Sequence, residues 1–438
     1  MNNREKLMCN KSETIDRKLS FTIIFFFIIQ SANSTIKTNF PELGDGVNSA
    51  LSALSGIIIL FLLLKSMKIV VKSHFNLVAR SYVLFTTIYL LSFVQISLRG
   101  APVGVMLKES MLWTMVWWLP LGLIAYSVND KKILYQTLTK WSYLLSVVTL
   151  LSLYGYYINL IELSVTQSGK SNYNMFFSYM LVLTMVLHLN EVIDSKKKLA
   201  AFFCVIELAA IIIYGSRGAF LCIAAYFVLK FLMGGLKTRS KVKLSIAVGM
   251  MAAIFFIGIN ALNKDIEDVG LTSRTLEMFT EGRASESDGR DKLRKYAIEL
   301  IEERPFLGYG LGGEFSEMYE KNYGSISRGE EFSSLTPHNG FLQLMLNFGI
   351  VIGLLVGSII ALSLLVIPHV KNIQTRELFI IFFSLYIVPA LTVGDGIFTK
   401  PGIALYLFMV LRWHHDVKQK RMLSQFKNEH SKFETKAS

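Results

Sequence analysis

The chain has 438 residues, 52% of them hydrophobic and 18% charged, with a mean hydropathy of +0.45. That balance excludes a set of ordinary soluble domains and describes a polytopic membrane protein. The 45 Lys and Arg against 32 Asp and Glu would point to nucleic acid in a soluble chain, so where the basic residues sit decides the partner.

Apolar runs near the roughly 20 residues that cross a bilayer core occur twelve times, at about 19–33, 47–64, 80–97, 111–128, 141–161, 173–189, 199–214, 218–232, 244–261, 339–367, 378–393 and 402–411. The first follows a basic tail and precedes "QSANS", which also fits a signal peptide; both readings stay open. With a cytoplasmic N-terminus, the inside segments carry 29 Lys and Arg, and the short outside loops carry six: Lys37, Arg99, Lys108, Lys170, Arg217 and Lys400. This is the bias of the positive-inside rule. The expected fold is therefore an all-α integral membrane protein with about 12 transmembrane helices and both termini cytoplasmic, its basic excess needing no nucleic acid. Expected divisions are helices 1–9 in 1–261, a large extracytoplasmic loop at 262–337, helices 10–12 in 338–411, and a basic cytoplasmic tail at 412–438. Cys9, Cys204 and Cys222 form no C-x-x-C or His/Cys spacing, so neither a disulfide framework nor a structural zinc site is expected.

The loop 262–337 carries ten Lys and Arg and sixteen Asp and Glu; long loops translocate largely regardless of charge, and a loop of this length is more often a working part than a connector. Within it, "GRDKLRKYAIELIEERP" places Leu293, Tyr296, Ala297, Leu300 and Ile301 at helical spacing and stops at Pro305. "FLGYGLGG" is a turn-rich strip whose backbone can approach another surface closely. "EFSEMYEKNYG" predicts a second short helix ending at Gly324.

The polar residues that look out of place gather on the expected outer side. Arg217, in "IIIYGSRGAFLCI", is either a loop-tip arginine snorkelling to headgroups or a phosphate clamp, because its planar fork matches two phosphate oxygens. Arg290 and Arg294, four apart, share one side of the first loop helix, where an ion-pair network with Asp288 and Asp291 is the alternative to anion binding. Arg290 also opens that helix, beside free N–H groups. Asp288 and Asp291 lack further ligand spacing, so no metal is expected.

His338 stands at the mouth of the tenth run in "SLTPHNGFLQLMLNFGIVIG". Ser334 or Thr336 can cap, Pro337 suits the first turn, and His338 is either a backbone-bonded cap or a proton acceptor for a hydroxyl. Asn339 is a second cap or a sugar-hydroxyl ligand, and Asn172 and Asn174 in "SGKSNYNMF" face the same choice. Glu207, inside an apolar run, is a functional candidate because an intramembrane carboxylate is costly; it lies too far along a helix from Arg217 to pair with it.

Together, "GSRGA", "GRDKLRKYAIELIEERPFLGYGLGG" and "TPHNGFLQLMLNFGIVIG" resemble the O-antigen ligase and O-antigen polymerase superfamily, bacterial membrane glycosyltransferases of the large-loop, GT-C-like kind, from about Leu199 to Gly357. The resemblance implies a glycan donor on undecaprenyl diphosphate, attacked by a sugar hydroxyl at the outer face of the bacterial cytoplasmic membrane, with no ATP, nucleotide sugar or other cofactor. It implies that Arg217 and Arg290 bind the diphosphate and that His338 activates or positions the acceptor hydroxyl. Implied partners are the lipid-linked oligosaccharide, an acceptor glycolipid, the bilayer and a chain-length regulator. The "SNYN" stretch lacks the proline associated with family members there, which leaves Asn174 without a family counterpart. Within this chemistry a repeat-unit polymerase of O-antigen or capsule-like polysaccharide is the first reading and a ligase to lipid A-core the second. A twelve-span transporter or lipid flippase is the reading from another class, against which stands the absence of an internal repeat.

Overall fold

The computed structural model describes residues 3–39, 44–101, 103–166, 175–195, 197–214, 217–246, 248–249, 290–323, 336–392 and 397–437, and no strand occurs among them. Among the helices of the described residues are α1 (Asn3–Asn39), α2 (Gly44–Leu98), α3 (Leu119–Ser127), α4 (Lys131–Thr166), α5 (Met175–Ser195), α6 (Lys198–Tyr214), α7 (Arg217–Met233), α8 (Arg290–Glu303), α9 (Glu314–Tyr323), α10 (Gly340–Leu362), α11 (Ile373–Phe382), α12 (Val388–Thr392) and α13 (Pro401–Ala437). The apolar runs of the sequence reappear as these helices, and Ser49–Leu98, Gly340–His369 and Ile373–Thr392 are long and apolar enough to cross a membrane. Residues 250–289, which hold most of the ninth run, lie outside the described residues.

As one straight helix the 55 residues of α2 would extend about 80 Å, far more than one bilayer core. It is broken at His74 (φ −139°, ψ 40°), inside the stretch expected to connect the second and third runs. α3 is preceded by the π-helical turns Met106–Met111 and Thr114–Trp118, and α11 and α12 are joined by a third, Phe383–Ile387. Such turns widen the helix and redirect side chains. Near one end of the described bundle the Tyr89 hydroxyl ties α2 to this region through Ser110 (2.9 Å) and Thr114 (2.7 Å). The core is a continuous apolar cluster with fully buried Leu19, Ile23, Leu121, Leu181, Phe382 and Tyr406. A second, smaller cluster packs Leu293, Ala297, Leu300 and Ile301 of α8 with Tyr309, Met318 and Leu346. Four of the five positions whose spacing predicted the α8 helix are buried in it, and the fifth, Tyr296, packs against it.

The tenth run is not one straight helix, as the reading of 339–367 as a single span had it. Gly349 sits at φ 79°, ψ 170°, a backbone conformation that glycine alone adopts freely. About this point the two halves of α10 fold back on one another. A Cβ on Gly353 would lie 2.6 Å from the Met345 Cα, and one on Gly357 2.6 Å from the Phe341 ring, whereas residues that far apart on a straight helix never touch. The second half runs on through the 3₁₀ turn Ser363–His369, so residues 350–369 extend about 33 Å and are the part of the run long enough to cross a bilayer.

The reversal frees backbone groups at Gly349, and the glycine strip between α8 and α9 satisfies them. Tyr309 N donates to Leu346 O at 2.6 Å, Gly310 N to Asn347 O at 3.0 Å, and Ile350 N to Pro305 O at 2.7 Å. Gly308, at φ 63°, passes so close that a Cβ there would lie 2.4 Å from the Leu346 carbonyl oxygen. Arg99, at the end of α2, holds the same strip: it pairs with Glu317, donates to Tyr309 O at 2.8 Å, and lies 4.8 Å over the Tyr309 ring. The segment 290–323 is thus bolted to α2 and α10.

Candidate functional site

A cavity of about 550 Å³ opens where the first half of α10, the α9 N-terminus, α1, α5 and the two π-helical regions meet. His338, Glu314, Gln343, Asn347, Trp113 and Tyr386 supply its most chemically distinctive walls. Ser110 enters from the turn Met106–Met111 and Tyr386 from the turn Phe383–Ile387, so both irregular turns face this space.

His338 lines the cavity and has φ 48°, the only positive φ outside glycine among the described residues. A left-handed histidine is held against its steric preference, as residues at functional sites often are. It does not belong to the first turn of α10. The helix starts at Gly340 and its cap is Asn339, whose Oδ1 accepts from Phe341 N (3.0 Å) and Leu342 N (3.1 Å). Capping therefore falls to Asn339 rather than to Ser334 or Thr336, and Pro337 precedes the helix. The Asn339 oxygen is thus engaged as a cap, and the residue is not among those that line the cavity.

Glu314 heads α9 directly after the glycine strip and is 2% exposed. Gln343 and Asn347 stand four residues apart on one face of α10, and their amides, with the backbone at Gly312 and Glu314, lie near enough to its carboxylate to favour the charged form. With the Asn347 amide nitrogen assigned towards the carboxylate, it lies 2.7 Å from Oε2 and 3.0 Å from Oε1. Burial outweighs these donors and pushes the carboxyl up to about 7. No described cation forms a salt bridge with it. Sequence reasoning passed over Glu314, Gln343 and Asn347. The available signal was two amides, i and i+4, inside an apolar run.

Arg217 is the first residue of α7 and Arg290 the first of α8, so the backbone at each lies among the unpaired N–H groups of a helix N-terminus. Gly218 packs against Tyr179, where a Cβ would come 2.3 Å from the hydroxyl, and Tyr179 lines the cavity. The start of α7 thereby packs against a residue of the cavity wall. The side chains of Arg217 and Arg290, and the whole of Asn172 and Asn174, lie outside the described residues. Arg294 stands apart from the cavity, half exposed, with its guanidinium 3.4 Å from Asp291 one turn earlier. That is the ion-pair alternative of the sequence reading. Lys400, counted before only for its charge, lines the cavity from the α13 side.

Glu207 finds its partner away from this cavity. Its Oε2 lies 3.0 Å from His188 Nδ1, and His188 Nε2 lies 3.0 Å from Ser142 Oγ, all three fully buried. Nearby, Lys230 pairs with Glu377 (2.9 Å), which also accepts from Asn190 and Tyr226. These are paired groups crosslinking α4, α5, α6, α7 and α11, which is how charge is accommodated inside a bundle.

Residues 200–357 match a family model described as O-Antigen ligase. The match runs from α6 to the second half of α10 and takes in Arg217, Arg290, Glu314 and His338. No curated protein compared with the chain matches it.

Proposed function

We propose, for a chain that belongs to the O-antigen ligase and polymerase superfamily through residues 200–357, a membrane glycosyltransferase that moves a glycan from undecaprenyl diphosphate to a sugar hydroxyl. The observation that carries the reading is that, inside the matched segment, His338 lies in the cavity wall and the Arg217-headed start of α7 packs against Tyr179 of the same wall. The acceptor hydroxyl attacks the anomeric carbon, the bond from that carbon to the diphosphate oxygen breaks, and the lipid diphosphate leaves. A sugar hydroxyl is a weak nucleophile at neutral pH, so His338 takes its proton as the new bond forms. Arg217 and Arg290, each heading a helix, are the cations assigned to the charge that gathers on the leaving diphosphate, which a helix N-terminus also favours. Segment 290–323, bonded to α2 and α10 and lining the cavity through Leu311, Glu314 and Phe315, holds the two substrates together.

Within this chemistry we favour the repeat-unit polymerase acting at the extracytoplasmic face of the bacterial inner membrane; the ligase is the second reading, in keeping with the description of the matching family. The test is polymer production by gel ladder in a strain lacking the gene, complemented with wild type or with His338→Ala at equal membrane levels. A lost ladder with single-repeat products retained supports a polymerase with His338 in the chemistry. Loss of all acceptor-linked glycan supports the ligase, and an unchanged ladder from the variant removes His338 from the reaction.

A further inference from the structure

Two polar atoms in the cavity wall have no role in holding the fold. Gln343 is 5% exposed, and while its amide nitrogen is turned to Glu314, its Oε1 has no hydrogen-bond partner. Tyr386 is fixed by its ring, which lies 5.6 Å from Phe382 and 6.4 Å from Phe27 and fits against Gly402 so closely that a Cβ there would sit 2.3 Å from it. Its hydroxyl oxygen is buried and also without a partner. A phenylalanine would fill the same space. A buried acceptor left without a donor costs about 1–3 kcal/mol, so two such atoms, buried on two residues that line one cavity, point to a ligand that completes them.

The chemistry of that ligand follows from the atoms. The Gln343 oxygen only accepts, so it needs a donor, which an ionised diphosphate lacks. The Tyr386 hydroxyl both donates and accepts. A sugar ring offers neighbouring hydroxyls of both capacities, and Trp113, 38% exposed on the same cavity, offers an aromatic face to its C–H side. We propose that Gln343 and Tyr386 form a sugar-hydroxyl subsite in this wall and that Glu314 is the positioning residue that turns the Gln343 oxygen into the cavity. The inference deepens the glycan-transfer reading and rests on it. The sugar bound there belongs to the donor or to the acceptor.

The test uses the full chain in lipid nanodiscs, with lipid-linked repeat units extracted from the deletion strain as donor and the same oligosaccharide freed by mild acid as acceptor. Tyr386→Phe should raise KM about 3- to 10-fold, the worth of one hydrogen bond, with kcat within about 2-fold and unchanged thermal unfolding, because that hydroxyl has no protein partner. Gln343→Leu should raise KM by about 10-fold or more, Glu314→Leu should do the same, and Glu314→Gln, which retains an acceptor for the Gln343 amide, should restore near wild-type KM. Inhibition by inorganic pyrophosphate should be equal in all variants. A KM change confined to the freed oligosaccharide assigns the subsite to the acceptor, and one confined to the lipid-linked unit assigns it to the donor. Wild-type KM in both Tyr386→Phe and Gln343→Leu, in an assay where the wild type transfers glycan, overturns the subsite and leaves the function standing. A wild type that transfers nothing in this assay removes the functional reading and the subsite with it.

Discussion

Replacing Gly349 by alanine strikes the point on which the candidate site turns. The backbone there, at φ 79° and ψ 170°, is one that residues with a Cβ hold only at about 1–3 kcal/mol of strain. The new methyl carbon would also stand 2.2 Å from the Phe306 carbonyl oxygen and 2.4 Å from its carbon, so the strip or the helix must move. Such a shift breaks three backbone hydrogen bonds between the strip and α10, each worth about 0.5–1.5 kcal/mol net. The sum is about 2.5–7.5 kcal/mol, a large share of the 5–15 kcal/mol that typically holds a domain together. The assay is limited proteolysis of segment 290–323 together with thermal unfolding in detergent. Gly56→Ala is the control, since a Cβ on Gly56 meets nothing within 4 Å and alanine favours a helix. Gly349→Ala should expose the segment to protease and lower the melting temperature, whereas Gly56→Ala should do neither. Equal protease resistance and equal melting in the two variants would refute the reasoning from the fold-back.

Arg217→Ala is expected to abolish or strongly reduce glycan transfer while the protein still inserts, and Arg217→Lys to be clearly impaired, because an ammonium does not reproduce bidentate contact with phosphate oxygens; wild-type ladders from the lysine variant would mean that charge alone suffices. Glu314 gives a pH prediction for stability. Its carboxyl rises from 4.5 to about 7 on folding, so between those values the native state keeps a proton that the unfolded state has lost, and stability falls as pH rises through the interval. The shift corresponds to about 3 kcal/mol. Glu314→Gln removes the slope, so the variant should gain on wild type from pH 4.5 to 8 by up to that amount in chemical unfolding; parallel curves would show that Glu314 does not titrate in this way.

Local pattern was enough to locate most of the described helices. The α8 stripe of Leu293, Ala297, Leu300 and Ile301 was legible because burying a helix face imposes a 3.6-residue period, and its end was legible because Pro305 cannot continue it. The "FLGYGLGG" strip could be read as a place of close backbone approach, though not which backbone it approaches. His338 and Asn339 were visible as a pair at a helix mouth; which of them caps was decided by the backbone, where His338 is left-handed and Asn339 extended.

By itself the sequence determined the membrane class, the positions of most helices and the two loop helices, since these follow from composition, period and breakers acting within a few residues of one another. Tertiary structure alone decided that α10 reverses at Gly349, because a glycine in an apolar run looks the same whether the helix continues or turns back. What differs is the set of partners for the freed backbone groups, and Pro305, Tyr309 and Gly310 supply them from some 40 residues away. Tertiary structure likewise joined Glu314 to Gln343 and Asn347, since a buried carboxylate takes its donors from whatever packs beside it, and local pattern carries no record of that.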